Sequence, residues 1–74
     1  MEGSLIHVTS KDKQDVLYAM DMATTGLTVE EIADKIDSMS LIKISLTLGA
    51  LEKDGIVRGE YTDGKRLYFL TKKN

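Results

Sequence analysis

Residues 27–36 read Leu27-Thr28-Val29-Glu30-Glu31-Ile32-Ala33-Asp34-Lys35-Ile36. Thr28 followed three residues later by Glu31 is a capping box, in which each side chain satisfies a backbone N–H that the first helical turn leaves without a partner. Leu27, just before the cap, is placed to pack on Ile32 as a hydrophobic staple. The pattern predicts a short helix over Val29–Ile36, with Ile32, Ala33 and Ile36 as its buried stripe and Asp37 as its stop.

The neighbouring segments repeat this logic. Downstream, Ser40 is the expected cap of a longer helix, Met39 and Ile44 its staple, and Gly55 its left-handed stop. Leu41, Ile44, Leu48 and Leu51 recur at spacings of three, four and three, which lays them along one face. Upstream, a helix from about Lys11 to Ala23 is capped by Ser10 or Asp12. It turns Val16, Ala19, Met20 and Ala23 inward, and Gly26 supplies a left-handed turn that ends it. Beyond Gly55 the period changes to two. Ile56–Tyr61 and Arg66–Thr71 flank Thr62-Asp63-Gly64-Lys65, and Asp-Gly in a two-residue loop favours a type I′ turn because both positions need positive φ. This register pairs Val57 with Leu70, Gly59 with Tyr68 and Tyr61 with Arg66. Val57, Tyr68 and Leu70 are then expected to pack on the helices, and Gly59 to leave room for the Tyr68 ring.

The chain has 74 residues, which suffices for one domain. A composition that is 42% hydrophobic and 30% charged is that of a globular protein. With no cysteine and one histidine, neither a disulfide nor a Cys/His zinc site is available. His7 has no neighbouring ligand and reads as a strand or tail residue. Met20, Met22 and Met39 read as packing. The acid pairs Asp12/Asp15 and Glu30/Glu31 sit at helix starts, where they favour the dipole. No nucleophile–base pair, phosphate-binding glycine loop or metal-ligand spacing is found. The expectation is a binding module with no cofactor, and not an enzyme. No run of 18 apolar residues exists to span a membrane, and Leu5-Ile6-His7-Val8 has no basic region ahead of it, so a cytoplasmic protein is expected. The net charge of −2 hides an asymmetry, with −5 over residues 1–37 and +3 over residues 38–74. The basic half allows a local footprint for phosphates.

Helix, short helix, longer helix and hairpin is the order of a winged helix-turn-helix, an α+β fold that is mainly helical, with three helices and a C-terminal β-hairpin wing. Residues 27–36 resemble the "lt-eela-kl" helix of repressor families such as MarR, ArsR and PadR. Leu48-Gly49-Ala50-Leu51-Glu52-Lys53-Asp54-Gly55-Ile56-Val57 is similar to their "L-x-x-L-e-x-x-G-l-v" segment. Asp63-Gly64-Lys65-Arg66-Leu67-Tyr68-Phe69-Leu70-Thr71 is similar to their wing. The likeness places the domain at residues 11–74, with residues 1–10 as an N-terminal extension or short strand.

The resemblance implies a sequence-specific DNA-binding module, a transcriptional regulator whose third helix lies in the major groove of double-stranded DNA while the wing meets the backbone. The third helix would present Ser40, Lys43, Ser45, Leu46 and Thr47, and the wing Arg58, Lys65 and Arg66, extended by Lys72 and Lys73. A module of this size makes few base contacts, so a homodimer on two half-sites is expected, joined through Leu5, Ile6 and Val8 or through the first helix. One feature departs from the pattern. Ile42 and Leu46 fall opposite the core face, where DNA readers carry polar side chains. They suit contact with thymine methyl groups, a protein-interaction surface, or burial beneath residues 4–8.

Overall fold

The computed structural model describes residues 7–21, 23 and 25–71. Three helices come first, α1 (Ser10–Asp21), α2 (Val29–Lys35) and α3 (Leu41–Lys53), and strands β1 (Val57–Thr62) and β2 (Lys65–Leu70) follow. The expected order is present as a mainly helical α+β arrangement. Leu5, Ile6, Met22, Lys72 and Lys73 lie outside the described residues.

Each helix begins on a side chain. At α1 the cap is neither Ser10 nor Asp12 alone. Thr9 Oγ1 accepts from the Asp12 N–H at 3.1 Å, and the Asp12 carboxylate accepts from the Thr9 N–H at 3.0 Å. This is a second capping box, one residue ahead of the expected start. At α2 the Thr28–Glu31 box forms as expected, and Leu27 and Ile32 of the staple are both buried. At α3 Ser40 accepts from the Lys43 N–H at 3.1 Å.

The helices also end for identifiable reasons. Gly55 takes φ +80° after α3. Its N–H donates to Glu52 O and the Ile56 N–H donates to Leu51 O, both at 3.0 Å, which is a Schellman stop. Gly26 does not play the matching part after α1, since the only positive-φ glycines among the described residues are Gly55 and Gly64. A Cβ added at Gly26 would stand 2.6 Å from the Phe69 ring. The position needs glycine for close approach and not for a left-handed turn.

The hairpin has the expected register, Val57 with Leu70, Gly59 with Tyr68 and Tyr61 with Arg66. Asp63 and Gly64 both have positive φ, as a type I′ turn requires. Each strand reaches one residue nearer the turn than the alternation suggests. Two further ties hold the base. Leu27 and Tyr68 exchange backbone hydrogen bonds of 3.0 and 2.8 Å, which joins the residues before α2 to β2. Thr71 Oγ1 donates to the carbonyls of Gly55 and Ile56.

Val16, Ala19 and Met20 of α1, Leu27, Ile32 and Ile36 around α2, Ile44, Leu48 and Leu51 of α3, and Val57 of β1 form one buried cluster. Tyr68 and Leu70 close it from the hairpin, as expected, and Met39 and Ala23 pack at its margin. α3 is the central element, in contact with α1, α2 and β1. Its buried face differs from the expected one by a single exchange. Leu41 is 48% exposed, while Thr47 is fully buried beside Ile44, Leu48 and Leu51. The first turn of α3 overhangs the edge of the core, and Leu41 borders a groove shared with Val29, Lys65 and Arg66. No helix among the described residues is long and apolar enough to cross a membrane.

Candidate nucleic-acid interface

Fixing Ile44, Leu48 and Leu51 in the core turns the opposite side of α3 to solvent. Ile42, Ser45, Leu46 and Gly49 are all exposed there, Ile42 at 63% and Leu46 at 46%. Burial of Ile42 and Leu46 beneath residues 4–8 rests in part on residues 4–6, which lie outside the described residues. Among the described residues nothing covers them. Ser40 is exposed, but its hydroxyl already serves as the α3 cap. Ser45 is exposed and makes no side-chain hydrogen bond among the described residues.

Thr47 is a correction to the expected contact set. It is fully buried, and its hydroxyl donates to the Lys43 carbonyl at 2.8 Å, so it presents nothing outward. Threonine carries a methyl as well as a hydroxyl, and bonding back one turn satisfies the hydroxyl while the methyl packs.

A groove of about 550 Å³ runs beside α3. Thr28, Glu30 and Glu31 at the start of α2 border it on one side, Leu41 and Ser45 of α3 on another, and Gly64, Lys65 and Arg66 of the hairpin close it. The geometry brings Ser45, Lys65 and Arg66 onto one concave surface, in company with two carboxylates.

Of the four expected cations among the described residues, three are engaged within the chain. Lys43 Nζ lies 3.2 Å from Asp12 at the start of α1. Arg66 lies 3.0 Å from Glu52 on α3 and has its guanidinium 5.5 Å from the Tyr68 ring centre. Arg58 pairs with Glu60 and lies over the Phe69 ring at 4.8 Å. Lys65 is exposed and makes no ion pair among the described residues. The Tyr68 oxygen, and after it Glu52, push Arg66 above its ordinary pKa. The Thr9 backbone N–H holds the Asp12 carboxyl below the aspartate value, Lys43 adds to this, and desolvation opposes both. Gly59 belongs to this electrostatic layer. A Cβ there would meet Arg66 Nε at 2.9 Å and Glu52 Oε2 at 3.1 Å, so the glycine makes room for the ion pair and not for the Tyr68 ring.

Reasoning from sequence missed the three carboxylates that answer these cations. Arg58 and Glu60 are two apart on a strand and so share a face, which is a readable signal. Asp12 with Lys43 and Glu52 with Arg66 meet only through the tertiary fold. No protein-family model matches the chain, and no curated protein is found to be similar to it.

Proposed function

We propose that the chain is a winged helix-turn-helix module that binds double-stranded DNA and regulates transcription, with α3 in the major groove and the hairpin as the wing on the backbone. The observation that carries this reading is the shared groove, in which the start of α2, the exposed face of α3 and Lys65 and Arg66 of the wing border one surface. The strand-like tie between Leu27 and β2 supports it, because it makes the wing continuous with the entry to α2. The resemblance to repressor wings and helices at residues 27–36, 48–57 and 63–71 supplies the functional class.

In this reading Ser45 and Lys43 meet base edges or phosphates, Leu46 and Ile42 lie against thymine methyl groups, and Arg58, Lys65 and Arg66 meet phosphates. The internal ion pairs are no bar. The pairs of Arg58 and Arg66 have half-exposed cations, and surface pairs contribute roughly 0–1 kcal/mol each, so there a phosphate can replace the carboxylate at small cost. Fluorescence anisotropy with duplex fragments at several salt concentrations tests the proposal. Binding that weakens steeply with salt and differs among sequences is expected. Salt-insensitive or absent binding overturns it.

A second reading is favoured by one observation. Ile42 and Leu46, on the outward side of α3, are aliphatic, and an exposed aliphatic face at helical spacing suits a protein partner. Replacing Ile42 and Leu46 together by lysine separates the two. Tighter DNA binding with loss of self-association or partner capture favours the protein surface, whereas weaker or less selective DNA binding favours the groove.

A further inference from the structure

The outward side of α3 offers little for hydrogen bonding. Of Ile42, Ser45, Leu46 and Gly49, only Ser45 carries a polar side chain, and its hydroxyl can both donate and accept. Gly49 adds no side chain, and a Cβ there would meet nothing within 4 Å. The stripe is therefore two branched aliphatics one helical turn apart, Ile42 and Leu46, followed by bare backbone. That turn spans about 6 Å along the axis, close to two base-pair steps of about 3.4 Å. Cations bound the stripe. Lys43 stands at its start, Lys53 is exposed one turn beyond Gly49, and Lys65 and Arg66 lie across the groove that Ser45 borders. Two side chains cover far less than the roughly 800 Å² that each partner buries in a stable protein interface. A narrow apolar strip between cations instead complements the floor of a major groove between its two rows of phosphates.

We propose that α3 reads the C5-methyl group of pyrimidines and not the identity of the base, so that 5-methylcytosine serves in place of thymine and cytosine methylation strengthens binding. The inference rests on the DNA reading above and adds to it a response to modified DNA. In the major groove the four base pairs are told apart by their patterns of donors and acceptors, which Arg, Gln and Asn read through paired hydrogen bonds. α3 contains none of these three residues. What an aliphatic side chain distinguishes is a methyl group that displaces water from it, as against a bare ring edge that leaves it hydrated. Thymine and 5-methylcytosine carry the same methyl on the same ring carbon. They differ at the neighbouring exocyclic group, which accepts in thymine and donates in cytosine. The Ser45 hydroxyl answers either.

The test is fluorescence anisotropy of the full chain with pools of randomised duplex prepared four ways, with thymine or uracil and with cytosine or 5-methylcytosine. The fully methylated pool is expected to bind tightest and the methyl-free pool weakest, about tenfold apart, since burial of each methyl corresponds to about fourfold. The two singly methylated pools fall between and alike. Ile42→Ala with Leu46→Ala brings all four together, with circular dichroism confirming the fold, while Lys65→Gln weakens all four equally and keeps their order. Equal binding to the four pools, with salt dependence intact, overturns this inference and leaves the DNA reading standing. A preference for thymine over uracil with no response to 5-methylcytosine also overturns it. So does an order that survives the double alanine variant, because the methyl effect then lies in the shape of the duplex. Absence of salt-dependent binding to every pool overturns the DNA reading and this inference together.

Discussion

The Asp12 carboxylate answers two groups at once, the Thr9 N–H at 3.0 Å and the Lys43 ammonium at 3.2 Å. Because both hold its pKa down in the folded state, its contribution to stability is complete above the ordinary aspartate range. It is lost as pH falls through that range to the lowered folded value. Asp12→Asn is therefore expected to be less stable than the parent at neutral pH, with the gap closing in acid. Urea unfolding at several pH values checks this, and a gap independent of pH would contradict it. Thr47 invites the opposite kind of test. Its hydroxyl bonds to the Lys43 carbonyl inside the fold, so Thr47→Val keeps the shape and removes one internal hydrogen bond. The cost is about 1 kcal/mol or less, and DNA affinity is unchanged within error. A marked fall in affinity with the fold intact would return Thr47 to the surface set. Gly26→Ala is expected to cost about 1–3 kcal/mol, since the new methyl must displace the Phe69 ring. Thermal unfolding measures that penalty.

α2 has seven residues, too few to hold a helix by propagation alone, so its two reciprocal cap bonds matter more than they would on a long helix. Thr28→Ala is expected to cost about 1 kcal/mol in urea unfolding. A null effect would show that the staple and core contacts fix α2 without its cap. These caps, the glycine stop after α3 and the type I′ turn were all legible in the sequence, because each depends on residues within a few positions of one another. The hairpin register followed from the turn for the same reason. What local pattern could not give was which turn of α3 overhangs the core. Leu41 and Thr47 both border the apolar stripe in sequence, and the edge of the α1 and α2 layer decides that Leu41 emerges while Thr47 is sealed. The candidate interface was legible as a list of cations and outward aliphatics. Their pairing with Asp12 and Glu52 was not, since those partners lie 31 and 14 positions away.

The assembled surface carries both signs, and under the proposed function this sets how DNA binding should respond to salt. If Lys43, Arg58, Lys65 and Arg66 each neutralise one phosphate, the logarithmic salt slope is about −3 to −4, and replacing any one by glutamine lowers its magnitude by about 1. Anisotropy at a series of salt concentrations reads this directly. Glu30 and Glu31 border the same groove. Glu30→Gln is expected to raise affinity modestly by removing a charge that repels the backbone, while Glu31 must stay because it closes the α2 cap. The Leu27–Tyr68 bridge adds a mechanical consequence. Leu27 immediately precedes the α2 cap and Tyr68 lies on the strand that carries Arg66, so two peptide hydrogen bonds couple the approach to one helix with the arm that reaches outward. The arm is thereby clamped at its root like a cantilever, with its load borne by the segment entering α2 and its far end, Tyr61 to Lys65, exposed to solvent. Amide exchange should accordingly be slow at Leu27 and Tyr68 and fast at the tip, and any force applied out there arrives first at the threshold of α2.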